Sequence, residues 1–141
     1  MEFGPLRINM RHYKGHVMTL KENLNYYSDY FEALFFADIS CDSEIENYDE
    51  LGFADINKES LVKQFDQLDA FFEKADSILE NTDYDHGQAC HDFFFTRNGH
   101  GVGFWENDHC NEEQGKALTE IAQSFGEVYT YQGDNGEIYI D

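Results

Sequence analysis

The sequence is short of positive charge. Nine Lys and Arg stand against 29 Asp and Glu, a formal net charge of −20 over 141 residues. Such a surface repels nucleic acid and anionic membranes and draws basic proteins in at raised rates. Direct nucleic-acid binding is therefore not expected. The simpler use of the same charge is solubility, or adaptation to high salt. Cysteine is also scarce. Cys41, Cys90 and Cys110 form an odd, sparse set with no C-x-x-C, which fits a reducing cytosol better than a disulfide scaffold. No apolar run approaches the roughly 20 residues of a membrane span. The mildly basic start is followed by no apolar signal core, so neither membrane nor export is expected. The common enzyme fingerprints are missing: G-x-x-x-x-G-K-[ST], G-x-S-x-G, H-E-x-x-H and the dinucleotide glycines. D-N-G at 134–136 lacks the flanking ligands of a calcium loop and reads as a turn.

What the sequence does have is aromatics, 13 Phe and 9 Tyr, a load that argues against disorder. The length fits one domain spanning 1–141 with its own core, residues 1–17 being expected to be poorly ordered. Residues 1–21 carry Arg7, Arg11, Lys14 and Lys21 against Glu2 alone, so the acidity lies further along.

Thr19 and Glu22 have capping-box spacing, and Leu24, Tyr27, Phe31, Leu34 and Phe35 recur at helical intervals, predicting a helix over 19–38. Residues 40–57 are acidic and aperiodic, an extended loop with a short turn around Tyr48–Phe53. Asn57 caps a helix over 58–80 whose core stripe is Leu61, Phe65, Leu68, Phe72, Ala75 and Leu79. One residue after each core position but the first runs an acidic row: Asp66, Asp69, Glu73, Asp76 and Glu80. That row spans about 21 Å of helix. Like charges at such spacings cost a few tenths of a kcal/mol per pair.

Residues 81–90 read as a turn-rich connector. The segment His91–Glu106, H-D-F-F-F-T-R-N-G-H-G-V-G-F-W-E, then predicts a strand over Asp92–Thr96, a turn at Asn98-Gly99 and a return strand Val102–Glu106. A third helix over 112–125 stops at Gly126. Strands Glu127–Gln132 and Glu137–Ile140 close a second hairpin around G-D-N-G. The expected class is α+β: a small antiparallel sheet of about four strands in two hairpins, with about three helices packed on one face.

The sixteen-residue segment resembles the signature of a family of small proteins encoded by bacteriophages and related mobile elements, H-D-F-(W/F)-x-T-R-N-G-H-G-x-G-F-W-(D/E). In that family it is followed by a helix end of the type L-T-x-A-A-x-x-(F/Y)-G-x-V and a closing hairpin Y-x-G-D-(D/N)-G-x-I-Y. The matching runs are Leu118–Val128 and Tyr131–Tyr139, and Tyr30–Phe36 is similar to the family's aromatic N-terminal helix. The likeness covers about half the chain. It implies a shared fold and a phage origin, and brings no activity with it.

His91, Asp92, Arg97, Asn98 and His100 form a polar cluster in this segment. His can act as acid or base near neutral pH beside a carboxylate, and Arg can clamp an anion. The competing reading is structural: an Asp92–Arg97 pair, Asn98 in the turn, His100 packed on a hairpin. Cys90, His91, His100, His109 and Cys110 are possible zinc ligands, but their spacing matches no standard site, so no metal and no cofactor are expected.

Three functions follow. The leading expectation is an acidic, phage-type interaction protein in the bacterial host cytoplasm. It would bind and inhibit a basic or nucleic-acid-binding host protein, such as a defence nuclease or restriction complex, by mimicking DNA charge. Asp66, Asp69, Glu73, Asp76 and Glu80 would carry it, with Glu44, Glu46, Asp49 and Glu50. The alternative is a small enzyme or ligand-binding module on the His91 cluster. A third is an assembly protein, such as a homodimer, using aromatic surface.

Overall fold

The computed structural model describes residues 12, 13, 16–39, 45 and 47–141. Apart from two short strands, the expectation of weak order over 1–17 falls outside these residues. Among the described residues five α-helices dominate: α1 Leu20–Tyr26, α2 Ser28–Leu34, α3 Lys58–Leu79, α4 His86–Arg97 and α5 Glu112–Gln123. Among the described residues, strands occur only in two separate antiparallel ribbons. One pairs β1 His12–Tyr13 with β2 His16–Val17, the other β3 Thr130–Gln132 with β4 Ile138–Ile140. The expected four-stranded sheet is therefore wrong, and so is the layer of helices on one face of it.

The error lies in His91–Glu106. Its first half is α4, and Asp85 starts that helix by accepting the Gln88 N–H on Oδ1 at 2.7 Å. Cys90, Phe93, Phe94 and Arg97 share its inner side, and all are buried. Phe93 stacks on Phe71 with ring centres 4.2 Å apart, while Phe94 meets Tyr30 edge-on at 5.5 Å. The Asn98-Gly99 pair ends the helix instead of turning a hairpin. Gly99 takes φ +66°, its N–H bonds Thr96 O at 3.2 Å, and the His100 N–H bonds Phe95 O at 3.0 Å. Those two bonds make a Schellman stop, which wants the same left-handed residue that a tight hairpin wants. The expected return strand is a 3-10 turn, Phe104–Glu106, with Phe104 buried against Phe71.

Elsewhere the sequence reading holds with adjusted limits. Thr19 and Glu22 do form a capping box. The first helix breaks at Tyr27 (φ −107°, ψ 21°) and ends in a π turn, Phe35–Ile39. Asn57 caps α3 by accepting the Ser60 N–H at 3.1 Å. The 40–57 region contains 3-10 turns at Tyr48–Glu50 and Phe53–Asp55. Gly126 stops α5 at φ +76°. The connector at 81–90 is shorter than expected, because α4 begins within it at His86.

The core lies where α2, α3 and α4 meet, filled by Tyr27, Tyr30, Phe31, Leu68, Phe71, Phe93 and Phe94. The β3–β4 ribbon is tied to the start of α3. The Asn57 N–H bonds Ile138 O at 2.7 Å, and the Ile140 N–H bonds Ser60 Oγ at 3.1 Å.

Candidate functional site

The acidic row on α3 divides into two parts. Asp66 and Asp69 are half-buried, and Asp69 Oδ1 accepts the Tyr27 hydroxyl, so that carboxylate ties α3 to the end of α1. Glu73, Asp76 and Glu80 face solvent. Of the loop carboxylates, Asp49 and Glu50 are exposed on the Tyr48–Glu50 turn, while Glu44 and Glu46 lie outside the described residues. The row is thus shorter at the surface than its sequence spacing implies.

It continues onto α4. Asp76 and Glu80 open into a hollow of about 350 Å³, shared with Tyr26, Phe72, Leu79, Tyr84, Asp85, His86 and Ala89. His86 holds this hollow together. Its Nε2 lies 2.8 Å from Tyr26 O, and its ring sits 4.0 Å from the Tyr26 ring and 4.9 Å from that of Phe72. Asp85 also borders a second hollow of about 580 Å³, where it joins Asp29, Asp92, Glu106 and Asp108 together with His91 and His109. Among the described residues, neither hollow has a Lys or Arg in its wall. A third, largely apolar depression shares His91 and Val102 with the second and is completed by Phe36, Ala37, Phe95, His100 and Gly101.

The signature cluster does not converge. Arg97 is buried and turned to the end of α5, donating Nε to Gly126 O at 2.8 Å and Nη2 to Phe125 O at 3.1 Å. The expected Asp92–Arg97 pair does not form, because Asp92 sits on the other side of α4. There Asp92 Oδ2 accepts the Tyr84 hydroxyl at 2.5 Å, and Asp92 Oδ1 lies 3.0 Å from His91 Nδ1. Asn98 bonds both backbone groups of Val128, at 2.9 and 3.2 Å, standing in for a strand neighbour. His100 packs on Phe94 and Phe95, with Nε2 3.4 Å from Asp38 Oδ1. Thr96 Oγ1 accepts the Phe104 N–H at 3.1 Å and pins the following turn. The motif's polar groups therefore mostly close the fold. His91 and Asp92 alone, of the five, face the acidic hollow.

Two ionisable groups record the local field. Burial, then the bonded carboxylate of Asp92, pushes the Tyr84 hydroxyl pKa up. Cys110 is pushed up by burial, then by Asp92 and Asp108. Both hold the neutral form more firmly.

Sequence reasoning missed Tyr26, Asp29, Tyr84, Asp85 and His86. A signal for Asp85 existed: Asp followed three residues later by Gln is a helix-start spacing. The others are brought in by packing between distant segments. Among the described residues, no group of three or more His, Cys, Asp or Glu is placed to hold a metal ion. No described helix is long and apolar enough to cross a membrane. Comparison of the chain with family models, with curated proteins and with solved structures gives no match.

Proposed function

We propose that this chain is an acidic interaction protein that occupies the nucleic-acid-binding surface of a basic partner. One observation carries the reading. The exposed end of the α3 row, Glu73, Asp76 and Glu80, runs, among the described residues, without an intervening cation into two hollows that add Asp85, Asp29, Asp92, Glu106 and Asp108. Lys74, next in sequence to Glu73, stands over the Phe125 ring at 5.3 Å, beside α5. A groove built to hold phosphates offers Arg and Lys at close spacing, and a continuous carboxylate surface meets that pattern. Concave carboxylate walls also focus the field and speed encounter.

The signature of His91–Glu106 suggests the setting, a phage product acting in the host cytoplasm on a defence nuclease or restriction complex. The mimicry is of charge, and the two half-buried members Asp66 and Asp69 lie outside it. A small enzyme built on the His91 cluster has less support, since Arg97 and Asn98 use their hydrogen bonds on the protein's own backbone.

The test is displacement. A DNA-binding protein captured from host lysate at low salt is loaded with labelled duplex DNA and titrated with this chain. Release of the duplex, weakened by Asp76→Asn, Glu80→Gln and Glu106→Gln together and steeply lost as salt rises, is the expected result. Capture that is indifferent to salt, or that leaves the duplex bound, would sink the proposal.

A further inference from the structure

We infer that the hollow between the end of α3 and the start of α4 is a socket for an arginine side chain of that partner; this rests on the reading above and adds a residue-level requirement to it. Two independent properties of the cavity meet there. Its rim is anionic, with Asp76 and Glu80 on α3 facing Asp85 at the start of α4. Its interior is aromatic, with Tyr26, Phe72, Tyr84 and His86 contributing rings. The larger acidic hollow next to it has the carboxylates but only histidines for rings.

A guanidinium fits both properties at once. It is planar and weakly hydrated, it lies against aromatic rings, and its fork of N–H donors matches carboxylates. A lysine ammonium is a compact, strongly hydrated point charge, so it gains from the rim and little from the rings. The size agrees. About 350 Å³ is at the small end of the roughly 300–1,000 Å³ seen for ligand pockets, suited to one long side chain. The walls are also preset. His86 is fixed against the Tyr26 carbonyl at 2.8 Å, Phe72 is almost fully buried, and Asp85 is held by the α4 cap through its Oδ1. Little ordering is then needed on binding.

Hexa-arginine and hexalysine peptides, titrated calorimetrically into the full chain at one low salt concentration, separate the possibilities. The expected result is a preference for hexa-arginine of about tenfold or more. Tyr26→Leu should cut that preference to about threefold or less while leaving hexalysine binding unchanged. Asp76→Asn with Glu80→Gln should weaken hexa-arginine more than the charge-matched pair Glu120→Gln with Glu127→Gln. That comparison uses exposed residues only, and it decides the matter if Tyr26→Leu does not fold. Equal affinity for the two peptides, or equal losses from the two charge-matched pairs, would overturn the socket and leave the acidic-surface reading standing. Failure of both peptides to bind would remove both.

Discussion

Arg97 meets Tyr30 inside the protein, its Nη1 donating to the tyrosine hydroxyl over 3.2 Å, with the two side chains 3% and 0% exposed. The hydroxyl in turn donates to Gln64 Oε1 at 2.5 Å, so α2, α3 and α4 are joined at one point. Arg97 also closes α5 by bonding the carbonyls of Phe125 and Gly126, and its guanidinium lies 5.2 Å from the centre of the Phe93 ring. Lysine cannot reproduce this three-way fork. Arg97→Lys should therefore lower stability by about 2–3 kcal/mol, with carbonyls left unpaired in the interior. Urea unfolding measures this, and a change within experimental error would show that the bonds contribute little.

Tyr30 also sets an alkaline limit. Burial raises its hydroxyl pKa from 10.0 to about 12, opposed in part by Arg97. A folded value above the unfolded one means that the native state holds its proton longer. The associated stability is complete below pH 10.0 and is lost as pH climbs from there through about 12. The loss is on the order of 2–3 kcal/mol. Tyr84 is shifted in the same direction and adds to the trend. Urea midpoints should stay flat up to pH 10.0 and fall beyond it. Tyr30→Phe should start lower at neutral pH and fall less over the alkaline range.

How much of this could be read from the residues depended on whether local pattern or packing decided the outcome. The α3 stripe, the Thr19 box, the Asn57 cap and the closing hairpin are local, and each was legible. Phe93-Phe94-Phe95 was not. Three adjacent Phe read as a strand because period-two and buried-run patterns both admit them, whereas α4 is enclosed on enough sides to bury all three. Asn98-Gly99 misled for a sharper reason: a helix stop and a hairpin turn place the same demand on glycine. The acidic row was visible as a spacing, but not the burial of Asp66 and Asp69, which depends on where Tyr27 falls. The hollows draw on residues from Tyr26 to His109 and have no signature in any one stretch.

Gly115 gives a test of packing against propensity. In a helix interior, Gly→Ala ordinarily stabilises by about 0.5–1 kcal/mol. Here an added Cβ would come within 2.0 Å of Asn107 Oδ1 and 2.7 Å of the Phe104 carbonyl, a backbone atom. The close approach of α5 to the Phe104–Glu106 turn requires the missing side chain. Gly115→Ala should instead destabilise by about 1–3 kcal/mol. Gly101→Ala, whose Cβ would meet nothing within 4 Å, is the matched control and should be close to neutral in thermal unfolding.

The two halves of the acidic row should separate on substitution. Asp69→Ala removes the acceptor of the Tyr27 hydroxyl at a partly buried position, and should cost about 1–3 kcal/mol. Asp76→Asn touches an exposed carboxylate with like charges three and four residues away, at Glu73 and Glu80. It should leave stability within about 0.5 kcal/mol, on the favourable side of zero. Paired chemical unfolding curves distinguish them. Equal effects would mean that the row is uniform after all.

Salt should act on stability and on binding with opposite signs. With a net charge of −20, the folded chain holds its carboxylates closer together than the unfolded one does, most of all along α3 and around the hollow shared by Asp29, Asp85, Asp92, Glu106 and Asp108. Screening shortens the reach of that repulsion from about 10 Å at 0.1 M to about 3 Å at 1 M. A few relieved pairs at some tenths of a kcal/mol each sum to roughly 1 kcal/mol, or roughly 4 °C in Tm for a domain of this size. The same screening weakens attraction to a basic partner, so the thermal midpoint should climb over the salt range in which displacement of DNA from the partner fails. Thermal scans and displacement titrations on one salt series test both signs together. A midpoint that falls with salt would show that attractive pairs outweigh the repulsion within the folded chain.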